Sequence, residues 1–361
     1  MHIDTPALDI SGLQRFQELR LDAINTVTER FYTEHGAIYA PFGPRGREAC
    51  REDLSFHLEF LRPVLEFGLI QPMVDYLRWL ASVLITRDIP VEHLALSLDW
   101  LADFYAGHME KPDAEIVVSA LHQTKTRFLL TDETPQAIDV PVLDPWPDCE
   151  TFELALLAGD RYGAGALLDH RLEQGHSLID VESRMIQPAL YGIGLKWQNN
   201  QVSVAQEHLA TAISQSVMTQ GLLKSEVPAA NGSRILLACV QGNIHSVGLQ
   251  MVSDAFQLAG WDVQYLGANV PTDALIQQVV EYKPHLLGLS VSFAQQLRVV
   301  KDIILRLTQL LGTERPPVIV GGLAINQFNR LAGQLGADGW SANAHSAVAS
   351  AAQLVKQARI G

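Results

Sequence analysis

Between Arg234 and Gly248 the chain reads Arg-Ile-Leu-Leu-Ala-Cys-Val-Gln-Gly-Asn-Ile-His-Ser-Val-Gly, and no other stretch restricts the fold as tightly. Ile235 to Val240 is an unbroken apolar run of strand length, which suits a parallel strand covered on both faces. Gly242 breaks the run. From Ser246 the spacing turns helical, with Val247, Met251, Val252, Ala255 and Phe256 on one face. His245 is therefore expected on the loop that leaves the carboxyl end of a parallel strand, just before a helix. Open α/β sheets place their ligands at that edge.

The following hundred residues repeat the pattern. Asp262 to Gly267 reads as a second strand, and Pro271 then opens a helix. Leu286 to Ser292 reads as a third strand ending in hydroxyls, and Pro317 to Gly322 as a fourth ending in two glycines. Asp338 to Trp340 suits a short fifth strand before a last helix, Ala344 to about Ala358. Strands alternating with helices imply right-handed crossovers and a doubly wound, flavodoxin-like parallel sheet over residues 232–361.

Asn243-Ile-His245-Ser246-Val-Gly248, then Ser290-Val-Ser292, then Gly321-Gly322, resembles the cobalamin-binding domain of methionine synthase and corrinoid proteins, whose pattern is Asp-x-His-x-x-Gly, Ser-x-Leu and Gly-Gly. Three motifs in the right order are far more specific than a lone glycine pattern. A neutral imidazole suits a borderline transition metal such as cobalt. The resemblance implies that His245 is the lower cobalt ligand, in the base-off, His-on form. Asn243, Ser246, Gly248, Ser290, Ser292, Gly321 and Gly322 would line the rest of the cofactor site. In this likeness Gly248 lets the helix start close to the corrin, the serines offer hydrogen bonds to its displaced tail, and the glycines let backbone approach it. Two positions depart from the pattern. Asn243 stands where relatives carry an acid, so the group behind the imidazole is uncharged and His245 is expected to be a weaker donor to cobalt. Ser292 replaces a leucine.

Upstream, Phe152–Ala158, Gly163–Gln174, Ser177–Trp197 and Val204–Leu223 carry helical patterns, the material of a four-helix bundle spanning about 148–227. Gly194-Leu-Lys-Trp197 followed by Val202 to His208 is similar to the helical cap of light-sensing cobalamin repressors and corrinoid methyl-transfer proteins. By that likeness Trp197 shields the upper axial group, with Glu207 and His208 above it. On residue type alone, Trp197 equally reads as a core indole and His208 as a locally bonded helix residue. The repressors carry a histidine after that tryptophan; here it is Gln198, a poor cobalt ligand.

Residues 1–130 read as helical throughout, a globin-like or bundle domain interrupted by an expected loop at Ala40-Pro-Phe-Gly-Pro-Arg-Gly46. Within it Arg47, Cys50, Arg51, Asp53 and His57 cluster, and Tyr76, Arg78 and Trp79 follow one helix later. On their own these residues read as a solvated charge cluster beside core aromatics. The segment is also similar to the helical domain fused to cobalamin modules in bacterial sensors, including the photocobilins, where a companion domain carries a bilin. Arginines and a histidine around an aromatic-lined gap suit a tetrapyrrole held by its propionates, so Arg47, Cys50, Arg51, His57 and Tyr76 are the residues expected toward biliverdin or another tetrapyrrole, although the likeness maps no bilin ligand residue by residue. Thr131 to Pro147, rich in proline and acids, is expected to be a linker.

Composition narrows the function. A net charge of −14 argues against a direct nucleic-acid partner. No apolar run reaches the length of a membrane span, and the first residues lack a signal-peptide pattern, so a cytoplasmic protein is expected. Cys50, Cys149 and Cys239 are scattered and odd in number, which gives no disulfide framework. The expectation is a non-enzymatic cobalamin photoreceptor, adenosylcobalamin being favoured, that signals through a protein partner or a change of oligomeric state. A corrinoid methyl carrier is the alternative, and cobalamin storage a third.

Overall fold

The computed structural model describes residues 7–358 except 86, 131–142 and 227. Most of the expected linker, 131–142, lies outside the described residues; 143–146 carry neither helix nor strand. The chain divides into two compact units, Met1–Gln136 and Ala137–Gly361.

The first unit is helical: α1 (Ile10–Glu34), α2 (Gly36–Tyr39), α3 (Gly43–Phe67), α4 (Ile70–Ile85), α5 (Glu92–His108) and α6 (Lys111–Leu130). Its core closes on residues from every one of these helices, including Phe16, Phe31, Tyr39, Leu61, Leu77, Tyr105 and Leu121, with Phe16 stacked on Tyr105 at 5.0 Å. The loop expected at 40–46 is instead helical, a 3₁₀ turn over Ala40–Phe42 running into α3. Pro41 and Pro44 both stand in first turns, where a missing N–H breaks no helical bond, so the prolines start helices here. Gly43, at φ 57°, supplies the change of direction between them.

The second unit begins with α7 (Cys149–Leu157), α8 (Arg161–Glu173), α9 (Leu178–Val181), α10 (Gln187–Gln198) and α11 (Val204–Lys224). A π-helical turn over Glu182–Ile186 joins α9 to α10. Proline explains part of it: Pro188 has no N–H to give the Arg184 carbonyl, which accepts from the Trp146 backbone at 2.9 Å instead. These helices bury Phe152, Leu168, Met185, Ile193 and Val217 among themselves, and share the same core with Met251, Ala255 and Ala344 of the sheet module.

That module holds β1 (Arg234–Cys239), α12 (Val247–Leu258), β2 (Asp262–Tyr265), α13 (Thr272–Tyr282), β3 (Leu286–Ser290), α14 (Leu297–Leu311), β4 (Val318–Gly321), α15 (Leu323–Gln327), α16 (Leu331–Gln334), β5 (Gly339–Trp340) and α17 (Ala344–Ala358). The five strands are parallel in the order β2-β1-β3-β4-β5, the flavodoxin-like arrangement, with Leu237 opposite Gly288 and Leu289 opposite Val320. The order reverses between β1 and β3, which opens a crevice at their carboxyl ends. β3 ends at Ser290, two residues short of the expected end, because the Ser292 backbone donates to the Gln296 side chain rather than to a neighbouring strand. No helix among the described residues is long and apolar enough to cross a membrane.

Candidate functional site

At the switch point β1 and β3 end side by side, Cys239 paired with Ser290, and the loop carrying His245 leaves β1 there. Side-chain amides hold this loop. The buried Asn243 donates from Nδ2 to the Ser290 carbonyl at 2.9 Å and accepts the His245 backbone N–H on Oδ1 at 3.1 Å. Asn269 Oδ1 accepts from the Gly242 backbone at 2.7 Å, and Gln296 donates to the Gly242 carbonyl at 3.0 Å. Gly242, at φ 85°, makes the turn that lets both reach it. The Cys239 thiol lies against the His245 carbonyl at 3.5 Å, and burial pushes its pKa up to about 11.

What the loop leaves open is the imidazole. Among the described residues no hydrogen bond to either ring nitrogen of His245 is recorded; its ring meets Phe293 edge to face, centroids 5.1 Å apart. The walls around it lower its pKa by burial, and the Glu207 carboxylate pulls in the opposite direction. The ring is thus held toward its neutral, metal-binding form. Ile244, 67% exposed, and Phe293, 41% exposed, leave apolar surface uncovered on either side of it. A Cβ on Gly248 would meet nothing within 4 Å, so the space beside the first turn of α12 is free.

The cap faces this edge. Glu207 in the first turn of α11 is close enough for its charge to act on His245, and Gln215, two turns on, donates to Ser246 Oγ and Gln250 Oε1, each at 3.4 Å. Glu207 shares a hydrogen bond with the ring of His208 and accepts from Thr211 Oγ1 at 3.0 Å. Trp197, half-buried, ends α10. His245 below and Trp197, Glu207 and His208 on the cap are thus carried by one compact unit, as a flat ligand between them requires. The donor set, one imidazole held toward its neutral form beside the exposed apolar side chains of Ile244 and Phe293, fits a corrinoid.

Other expected contacts are spent within the chain. Ser290 is buried, with its side chain bonded toward Cys239 rather than offered to a ligand. Gly322, at φ 96°, packs against its own chain: a Cβ would fall 2.3 Å from the Val291 carbonyl, and one on Gly321 would fall 3.2 Å from that of Ser341. Both glycines let β3, β4 and β5 close up, a role the sequence reading assigned to cofactor approach. Asn243 likewise braces the loop and does not stand behind the imidazole. Asn269, Gln296, Gln215 and Phe293 escaped the sequence reading, since a lone amide or aromatic carries no spacing signal.

In the first unit His57 and Tyr76 are buried together: His57 Nδ1 lies 2.6 Å from the Asp53 carbonyl and 3.0 Å from the Tyr76 hydroxyl, and Tyr76 stacks on Phe60. Burial lowers the His57 pKa to about 4 and raises Asp53 to about 6 and Cys50 to about 11. His57 Nε2 is buried without a hydrogen-bond partner. Arg47 is engaged by Glu29 at 2.6 Å and covers the Tyr32 ring, and Arg51 bonds to Asn25. The residues assigned to a tetrapyrrole therefore divide between a core pair and a set of α1–α3 bridges.

Comparison with known proteins identifies the domains that carry these residues. Two models described as B12 binding domains match, at residues 149–220 and 233–349. Dimethylamine corrinoid protein 2 of Methanosarcina acetivorans is 27% identical over 202 residues, 53% of this chain and 93% of that protein. The HTH-type transcriptional repressor CarA of Myxococcus xanthus is 32% identical over 46% of this chain and 56% of its own length. Dimethylamine corrinoid protein 3 of M. acetivorans is 30% identical over 45% of this chain and 80% of its own length, and the chain accordingly belongs to the B12-binding corrinoid protein family.

Proposed function

We propose that this cobalamin-binding chain is a light-responsive sensor in which His245 is the lower cobalt ligand and the helical cap responds to the state of the upper face. The observation that carries it is the His245 ring, with no hydrogen bond to either nitrogen among the described residues, standing at the switch point within reach of the Glu207 charge on the cap. Bound adenosylcobalamin would supply a cobalt–carbon bond that visible light can break. The chain's part is to hold the imidazole neutral and oriented, to cover the upper group with Trp197, and to offer Glu207 as an acceptor for an adenosyl hydroxyl. A change above the corrin biases the protein only through contacts that differ between states. Trp197, Glu207 and His208 provide such contacts, on helices whose core is continuous with α12. Relatives that are transcriptional repressors support a regulatory role. With a net charge of −14, the output would pass through a protein partner or self-association rather than DNA.

The second reading, a methyl carrier, is favoured by the dimethylamine corrinoid proteins, which the cap and sheet match over most of their length. The helical first unit, which lies outside both matched domains, speaks for an input role. A bilin there would have to draw Arg47 from Glu29 and Arg51 from Asn25.

Loading the full chain and His245→Ala with adenosylcobalamin in darkness, then recording absorption and native mass before and after green light, tests the proposal. The wild type should show a His-on spectrum and change mass or partner binding on illumination, while His245→Ala should lose both spectrum and tight retention. Unchanged colour and retention in the variant would overturn the ligand assignment. A light-insensitive mass together with methylation of the bound corrinoid would establish the carrier. A separate red band would mark a linear tetrapyrrole.

A further inference from the structure

Two carboxylic acids stand inside the core shared by cap and sheet module. Glu182 opens the π-helical turn and is 0% exposed; Asp254 lies on α12 and is 3% exposed. Neither oxygen of Glu182 nor Oδ2 of Asp254 has a hydrogen-bond partner among the described residues, and the two carboxyls are near enough to act on each other. The core shared by these elements is apolar and includes Ile179, Val181, Met185, Met251 and Ala255. Two ionised carboxylates cannot bond to each other, and like charges at this depth repel strongly. One proton resolves both difficulties, since it turns one acid into a donor and leaves a single charge.

Among the described residues, no cation is recorded acting on either carboxyl. From α17, His345 pairs with Asp180 at 3.5 Å, outside the acid pair. Tyr265 of β2 feels the Asp254 charge but gives its hydroxyl to the Ser246 carbonyl at 3.2 Å. Glu153 of α7 is matched by Lys196 of α10. On α11, Glu207 acts on His245 and Lys224 pairs with Asp169 at 2.6 Å. Arg184, on the π turn itself, exerts no recorded pull on either carboxyl. Burial raises Asp254 to about 6, and burial together with the Asp254 charge raises Glu182 well above the usual carboxylate range.

We propose that Glu182 and Asp254 hold one proton between them as an acid–carboxylate pair that fastens the helical cap to the sheet module, and that loss of this proton to solvent loosens the cap. The device needs neither cofactor nor light, so it stands apart from the sensor reading. Its sign follows from the raised folded-state affinities. Where the folded chain binds more protons than the unfolded one, stability falls as pH rises. The clasp therefore contributes most at low pH and weakens as pH rises above the ordinary carboxylate range.

Hydrogen–deuterium exchange on the full chain without cobalamin, at pH 5.5 and 8.5 and corrected for intrinsic exchange, reads the clasp directly. Amides of α9, α10 and α12 should lose protection about tenfold or more across this range, one pH unit of linked proton binding being worth a factor of ten. Glu182→Gln, whose amide donates without titrating, should keep its protection at both values; Asp254→Asn makes the same comparison from the other helix. His345→Gln should retain the wild-type loss. A flat wild-type profile, a Glu182→Gln profile that follows the wild-type slope, or disappearance of the slope in His345→Gln would each overturn the proposal.

Discussion

Asn243, expected behind the imidazole, gives both ends of its amide to backbone. Its place two residues before His245 was visible in the motif, and its lack of charge in its chemistry. Its work is architectural: one amide end takes the end of β3 and the other takes the backbone of the histidine it precedes. Asn243→Ala would leave the His245 N–H without its acceptor and the Ser290 carbonyl with only its bond from the Val240 N–H at 3.2 Å. Losing these bonds costs about 1–3 kcal/mol, which the variant should show in urea unfolding of the second unit, together with faster release of cobalamin. An aspartate here could still accept from His245 N–H but could not donate to Ser290, and would bury a charge. Unchanged unfolding in Asn243→Ala would mean that Asn269 and Gln296 hold the loop alone. Apart from the bond to His245 two residues on, these amide partnerships were not legible in the sequence, because they join residues some 27 to 54 positions apart.

At the scale of elements, the sheet was legible and its edges were not. Apolar runs and glycines located all five strands, but the runs outlast the ladder: β2 stops at Tyr265, although Leu266 still donates to the Leu237 carbonyl at 2.8 Å, and β3 stops at Ser290, beyond which the Gln296 side chain takes the Ser292 N–H. The prolines at 41 and 44 misled for a related reason, being compatible with a first turn as well as with a loop. The cap held a signal that was available and unused, Ser203-x-x-Gln206 ahead of α11. Ser203 Oγ accepts from the Gln206 backbone at 3.2 Å while Gln206 Oε1 accepts from the Ser203 backbone at 3.0 Å, a capping box. It fixes the turn that carries Glu207 and His208. Ser203→Ala should cost about 1 kcal/mol, seen as faster exchange of the first-turn amides of α11. Weaker adenosyl retention should accompany it, with His245 coordination intact. Loss of His-on coordination in this variant would show that cap and lower ligand cannot be separated.

For the whole molecule, the division into Met1–Gln136 and Ala137–Gly361 sets what ligand binding can stabilise. The first unit's core draws only on residues 8 to 128, whereas cap and sheet share theirs. A ligand that binds only the folded state adds stability by mass action, about 2.7 kcal/mol at a hundred times its dissociation constant. At about 2–4 °C per kcal/mol for a unit of this size, that is a shift of roughly 5–10 °C. Hydroxocobalamin added to the full chain in darkness should therefore raise the unfolding temperature of the second unit alone, with the two transitions assigned by exchange on α5 and α12. His245→Ala should remove most of that shift while leaving the first transition where it was. An equal rise in both transitions would mean that the units share free energy even before light. The input role of the first unit would then rest on coupling present in the resting state rather than on contacts made after photolysis.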